Sequence, residues 1–221
     1  MPLPVRSDID LFADRTFAVD EAFSSFTHSF RSDLHLSLMG GYLEEQYAGA
    51  GGEILYRPYN ARWAVGAEGF LALKRDPEET LNLALNGDSL VSGHLQGWYD
   101  LPVLDTTLNA RFGRYLAEDI GGTLALQKRF RNGSMIEGYV TVTDKNDFDL
   151  FGGTTSADHG IRLSVPLGGL KYVPDNIDAQ FRFAPFGRDI GQSVRNPIPL
   201  YELSEPFSAR HIAQYWDEIA P

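Results

Sequence analysis

From Ala22 onward the chain is patterned with a period of two. Phe26, His28 and Phe30 alternate with Thr27 and Ser29, and Leu34, Leu36 and Leu38 alternate with His35 and Ser37. Successive side chains of a strand point to opposite faces, so this spacing predicts two strands with a turn near Arg31–Asp33. The stretch Gly40–Pro58, GGYLEEQYAGAGGEILYRP, reads as two strands joined by a glycine-rich link. The second of them runs from about Ala48 to Tyr59, with Ile54 and Tyr56 on one face and Glu53, Leu55 and Arg57 on the other. Pro58–Ala61 predicts a tight turn. The chain then returns with Trp63, Val65, Ala67, Leu71 and Leu73 opposed to Ala64, Gly66, Glu68, Phe70 and Lys74.

The same grammar continues. Val91, Leu95, Tyr99 and Leu101 oppose Ser92, His94, Gln96 and Trp98, and past Pro102 Leu108, Ala110 and Phe112 oppose Thr107, Asn109 and Arg111. After a loop at Tyr115–Gly122, Leu124, Leu126 and Phe130 face away from Thr123, Gln127 and Arg129. Asn132-Gly133 is a strong hairpin signal, since both residues tolerate the positive φ of a type I′ turn. Ile136, Gly138, Val140 and Val142 then oppose Glu137, Tyr139, Thr141 and Thr143; Ile161, Leu163, Val165 and Leu167 oppose Arg162 and Ser164; and Phe181 and Phe183 oppose Gln180 and Arg182. The chain divides into an irregular N-terminal segment (1–20), a β domain (21–187) and a Pro-rich tail (188–221) with a short helix at Ser208–Ile219, whose Ile212, Tyr215, Trp216 and Ile219 share a side.

Connections alternate in length: short at Pro58, long at Asp76–Ser89 (with a little strand at Leu81–Leu85), short at Pro102, medium at Tyr115, short at Asn132, long at Asp144–His159. Up-and-down outer-membrane barrels keep this parity because their two strand ends face different environments. Many runs reach about 9 to 12 residues, the span of a tilted membrane strand. Tyr56, Trp63, Trp98, Tyr99, Phe130 and Tyr139 lie near strand ends, where an interfacial girdle would put them. The expected fold is therefore all-β, an up-and-down antiparallel transmembrane β-barrel of about ten strands, partial or open if this length does not close it, with a short C-terminal helix. One face carries no mid-strand charge, and Lys128 falls on it only near a strand end, where it could snorkel. The opposite face collects Glu53, Arg57, Glu68, His94, Arg111, Arg129, Glu137, Arg162 and Arg182, the expected lumen-lining residues for contact with polysaccharide. The same charges would also suit the wet side of a soluble sheet.

Composition narrows the classes. A net charge of -11, with no basic cluster, excludes nucleic acid as a partner, because phosphate binding needs concentrated cationic surface. The chain has no cysteine, which excludes disulfides, thiol catalysis and thiolate metal sites. No apolar run is long enough for a transmembrane helix, whereas a membrane strand commits only every second residue to lipid and leaves mean hydropathy unremarkable. MPLPVRSDIDLF lacks the basic and apolar regions of a signal peptide. Either a cytosolic protein or a piece of a longer exported chain is expected.

No catalytic, cofactor or metal motif stands out. Asp144–Asp149 lacks the turn glycine and late glutamate of a calcium loop. His28, His35, His94, His159 and His211 have no metal-ligand spacing. There is no G-x-S-x-G elbow. Glu44-Glu45, or Glu53 with Glu68, could supply the two carboxylates of a glycosidase only at a suitable separation. AGAGG at Ala48–Gly52 has no following helix or Lys-Ser/Thr to make a phosphate loop, and a bulge or close strand approach suits it better.

Several strings resemble a known family: GYLEEQYAGAGGEILYRPYNARWAVGAE, GRYLAEDIGGTLALQKRFRNG, HGIRLSVPL, LPVRSD near the start and PLYEL near the end. Together they make residues 3 to 203 similar to the C-terminal region of YjbH-like (GfcD-like) outer-membrane proteins, linked to exopolysaccharide and group 4 capsule production. The resemblance implies an outer-membrane β-barrel acting in polysaccharide secretion or display, a porin-like hydrophilic passage, and partners among outer-membrane lipid, polysaccharide and other envelope proteins of the pathway. It supplies no catalytic residue and no cofactor. Family members are longer, with an export signal and further β structure ahead of this region, so this chain is expected to be a fragment. Its end also differs from porin-like proteins that finish in a terminal aromatic strand. The competing expectations are a soluble β-sandwich or lectin-like module binding envelope carbohydrate, and a carbohydrate-active enzyme.

Overall fold

The computed structural model describes residues 4–13, 19–77, 89–102, 105–145, 157–168, 178–184, 189–214 and 216. Within them the alternating segments form one ten-stranded sheet: β1 (Ala22–Arg31), β2 (Leu34–Tyr42), β3 (Tyr47–Tyr56), β4 (Trp63–Lys74), β5 (Ser89–Leu101), β6 (Thr106–Arg114), β7 (Ile120–Arg129), β8 (Met135–Thr143), β9 (Asp158–Pro166) and β10 (Asp178–Phe183). Each strand pairs antiparallel with its neighbours in the chain, an up-and-down meander. β1 and β10 are not paired with each other, so the described sheet is open and not a closed barrel. Short helices lie outside it: α1 (Asp10–Ala13), α2 (Leu200–Ser204), a 3-10 turn at Glu205–Phe207 and α3 (Ala209–Gln214). The expected Leu81–Leu85 strand, most of the acidic string after Asp144, and Tyr215 and Ile219 of the expected helix lie outside the described residues.

Strand register keeps the two faces apart. Leu38 opposes Phe26, Leu95 opposes Ala67, Phe112 opposes Leu95, and Leu124 opposes Ala110, so apolar side chains run in rows across the sheet. These rows are exposed: Leu95 is 68% accessible, Phe112 60% and Leu124 50%. The only Lys or Arg on this face, among the described residues, stand at strand ends. Arg114 pairs with Glu118 at 2.7 Å, and the Lys128 ammonium lies 5.7 Å from the Phe130 ring. Exposed Phe30, Trp63, Tyr99 and Phe130 gather at one end of the sheet, and Tyr56 touches Trp63 with 5.8 Å between ring centroids.

The other face is covered by the chain's own ends. Val5 and Val194, from the two terminal segments, bury against Met39, Leu43, Tyr47, Phe70, Ala72, Leu90 and Leu116. A second apolar contact joins Leu200 and Tyr201 to Leu55 and Ala64. β1 lies beyond this cover and is exposed on both faces over nearly all its length.

Four expectations change. The glycine-rich stretch is not a link: Ala48–Gly52 lies inside β3, and the turn is Leu43–Gln46, clamped by Arg75, which donates to the carbonyls of Glu44 (3.2 Å) and Glu45 (2.9 Å). The glycines serve close approach, because a Cβ on Gly51 would meet the Phe70 ring at 2.2 Å and the Gly69 carbonyl oxygen at 2.5 Å. The Asn132-Gly133 turn is not type I′. Only Gly133 has positive φ (82°), Gly133 N–H donates to Phe130 O and Phe130 N–H to Ser134 O, and the Asn132 side chain accepts from Ser134 N–H, a longer loop ending in a left-handed glycine. Loop alternation is broken by the short β2–β3 turn and by the 167–177 connection between β9 and β10. Finally, Trp98 and Tyr139 leave the expected aromatic girdle and point to the polar face.

Replacing Gly51 by Val should lower stability by roughly 1–3 kcal/mol, as overpacking does, because both the Phe70 ring and the β4 backbone stand in the way. Chemical denaturation of the two proteins side by side checks this. An unchanged midpoint would mean that Phe70 moves aside at no cost.

Candidate functional site

The polar face holds all the sequence-selected residues, in rows set by register. Glu53 opposes Glu68, Glu68 opposes His94, Gln96 opposes Arg111, Gln127 opposes Glu137, Glu137 opposes Arg162, and Arg162 opposes Arg182. Arg57 follows β3 directly, and Arg129 ends β7. Opposed carboxylates on neighbouring strands repel, and burial in low dielectric makes each harder to ionise. The arrangement therefore needs donors, and they come from two directions.

Glu68 is served from within the sheet: His94 Nδ1 lies 3.1 Å and Arg111 Nη1 3.6 Å from its Oε1. Arg111 also donates to Ser193 Oγ at 3.2 Å, and the His94 ring lies against Tyr115, 4.6 Å between centroids. Tyr115, Thr123 and Thr141 continue the network through hydroxyl contacts of 2.7 and 2.8 Å. Glu53 is served from outside the sheet. Its Oε2 accepts from Asn196 Nδ2 and from the Leu200 backbone N–H, both at 2.9 Å. The latter is one of the unsatisfied N–H groups at the start of α2, so the carboxylate both gains a partner and fixes the helix end.

The C-terminal segment thus runs along the polar face. At one end, the Asp189 carboxylate accepts the backbone N–H groups of Val5, Arg6 and Ser7, Gly191 N–H donates to Asp119, and Leu116 N–H donates to Gln192 O. Arg6 makes a forked contact to Glu44 (2.8 and 3.0 Å), and Lys74 reaches Asp8 at 2.8 Å. At the other end, Arg57 pairs with Glu205 and donates to Tyr201 O (3.0 Å), while Arg210 donates to Asp100 (2.7 Å). Burial raises the Tyr201 phenol above its usual range, and the neighbouring Asp100 carboxylate adds to this.

The remaining residues form a separate, more open strip on β8–β10. Arg162 pairs with Glu137 at 2.7 Å, and Arg162 and Arg182 lie 4.5 and 5.7 Å from the Tyr139 ring. Arg182 donates to the Tyr139 hydroxyl at 2.8 Å and stands 3.7 Å from Asp158. Arg129 lines a small cavity with Thr107, Gln127, Tyr201, Glu205 and Arg210.

Sequence reasoning missed Trp98, Asp100, Tyr201, Glu205 and Arg210 as members of this face's network. Strand parity does put Trp98 and Asp100 on it. Tyr201 and Glu205 come from a stretch without periodicity, flagged only by the PLYEL family string, and Arg210 lies in the expected short helix away from its apolar side. The glycosidase carboxylates are engaged as well: Glu53 and Glu68 as above, and Glu44 by Arg6.

Arg57→Ala should destabilise by about 3–5 kcal/mol, since it strands a buried Glu205 carboxylate, whereas replacing both partners with methionine should recover most of the loss. Trypsin cleavage after Arg195 and Arg210 reports release of the segment. Unaltered cleavage rates in Arg57→Ala would show that the pair does not anchor it.

No solved structure matches the chain. A curated relative, the "Uncharacterized lipoprotein YjbH" of Escherichia coli (strain K12), is 30% identical over 202 residues, which cover 90% of this chain and 29% of that protein. The chain therefore spans less than a third of the length of this relative. The family model described as exopolysaccharide biosynthesis protein matches residues 1–205, and the chain belongs to that YjbH family.

Proposed function

We propose that the protein is an outer-membrane component of exopolysaccharide or capsule secretion, with the apolar face of its sheet against lipid and its polar face forming or supporting a hydrophilic passage. The observation that carries this reading is the polarity split over ten strands: exposed Leu, Val, Ile and Phe on one side, charge and hydroxyl on the other. Soluble monomers rarely expose contiguous apolar patches beyond a few hundred Å², and this face is an entire sheet. The aromatics at one end of the apolar face suit a membrane interface, where Trp and Tyr concentrate. Membership in an exopolysaccharide family supports the cargo, and the polar wall offers many weak hydrogen-bonding groups, which let a hydroxyl-rich chain bind without being trapped. Other envelope proteins of the pathway are the expected partners, and the reading assigns no reaction to the protein.

Leu124→Arg, at the middle of the apolar face, should reduce outer-membrane insertion, at a cost of roughly 2–4 kcal/mol near the bilayer midplane. Gln127→Arg, on the polar face of the same strand and outside the buried hydroxyl network, should not exclude the protein from lipid. Membrane fractionation of the full-length protein measures both. Recovery of the wild type in the soluble fraction without detergent would instead support a carbohydrate-binding module. Loss of export on deleting the gene, and altered planar-bilayer conductance in Arg111 or Arg129 variants, check the passage itself.

A further inference from the structure

Tyr201 occupies a seat with two flat walls and a polar rim. Its ring lies parallel to the indole of Trp98, with centroids 4.7 Å apart and planes 4° from coincidence. The Arg57 guanidinium also lies over the ring, 4.3 Å from its centre. At the rim, the Tyr201 hydroxyl donates to Asp100 at 3.3 Å, and Thr107 and Arg210 donate to the same carboxylate oxygen at 2.7 Å each.

A tyrosine ring with apolar faces and a hydroxyl on its edge shares this division with a pyranose, whose axial C–H bonds make an apolar face and whose hydroxyls radiate from the rim. Polarised C–H groups are attracted to the negative face of an indole. Arg57 and Asp100 supply charged donors and an acceptor for hydroxyls at the edge. We propose that the Trp98–Arg57–Asp100 seat is a subsite for one pyranose unit of a polysaccharide, and that Tyr201 fills it as an internal stand-in, leaving with α2 when the polymer enters. This rests on the reading of the polar face as the side that meets polysaccharide.

The way α2 is held suits exchange. Apart from Leu200 and Tyr201 against Leu55, Ala64 and Trp98, its anchors are polar: Glu53 at Leu200 N–H, and Arg57 at Tyr201 O, Ser204 Oγ and Glu205. Sugar hydroxyls can replace contacts of this kind. Beside the seat, Gln127 and Arg129 line a cavity of about 10 Å³ closed by Tyr201, Glu205 and Arg210, so their donors open to a neighbouring unit only when the segment leaves.

The chain has three tryptophans, so Trp63→Phe with Trp216→Phe leaves Trp98 as the sole indole reporter. The full chain in detergent is titrated with oligosaccharides cut from the exopolysaccharide that the producing strain secretes, following Trp98 emission, with calorimetry for variants that lack the indole. Tyr201→Ala should bind roughly tenfold tighter or more, because an internal competitor for the seat is gone. Tyr201→Phe keeps a ring in the seat and should bind like the parent. Trp98→Leu added to Tyr201→Ala should abolish the gain. If Tyr201→Ala does not fold, Glu205→Gln weakens the Arg57 anchor just past the end of α2 and should reproduce the gain. Tyr201→Ala binding no tighter than Tyr201→Phe, or Trp98→Leu binding undiminished, overturns the subsite. Gene deletion separates the two levels. Normal export with tight binding at Trp98 overturns the secretion reading and leaves the subsite, whereas lost export without binding at Trp98 overturns the subsite alone.

Discussion

Glu53 and Glu68 stand opposite one another on adjacent strands, both turned into the covered face, and the course of the chain outside the sheet follows from how that repulsion is offset. Glu68 is satisfied by the next strands along, through His94 and Arg111. Among the described residues no strand brings a donor to Glu53, and its partners lie 143 and 147 residues away in sequence, at Asn196 and Leu200. A carboxylate left without them in this setting would cost several kcal/mol or take up a proton. The C-terminal segment is thus required by the sheet, and its hydrogen bonds to Glu53 fix where α2 begins.

The two faces then make different demands. The covered face packs against the terminal segments, whereas the apolar face finds no partner among the described residues. The edges make a third demand. Unpaired edge strands invite pairing with other strands, and β1 is exposed on both faces as well as along its edge. With ten strands in strict antiparallel succession, β10 runs opposite to β1. Any closure into an all-antiparallel barrel therefore takes an even number of further strands, or none.

Strand positions and faces were legible because period-two alternation is local: Val65 and Leu71 against Glu68 and Phe70 needs no knowledge of neighbours. What depended on a neighbour was not legible. Glycines at 49, 51 and 52 read from sequence both as a link and as a close strand approach, and only the Phe70 ring and the adjacent carbonyls decide for the second. Trp98 and Tyr139 look like girdle aromatics from their nearness to strand ends, yet parity had already assigned both to the polar side. The site was legible as a set of charges on one face, but not as a network, since half of its partners come from a tail whose contacts have no sequence period. The family resemblance anticipated membership in the exopolysaccharide family, and its PLYEL string included Leu200 and Tyr201 without telling what they touch.

Different parts of the molecule are held by interactions of different kinds, and this orders their opening. The strands are tied by ladders on both sides, from β2 to β9, which yield only with the sheet. The segment from Asn196 to Arg210 is tied by side-chain contacts to Glu53, Arg57, Asp100 and Thr107, with one small apolar patch at Leu200 and Tyr201 against Leu55, Ala64 and Trp98. Few buried apolar contacts and exchangeable polar ones characterise elements that open locally before global unfolding. The polar face can therefore be exposed while the sheet stays whole, and the groups uncovered first, Arg57, Trp98 and Asp100, are those that recognise a flat ring with a hydroxylated edge.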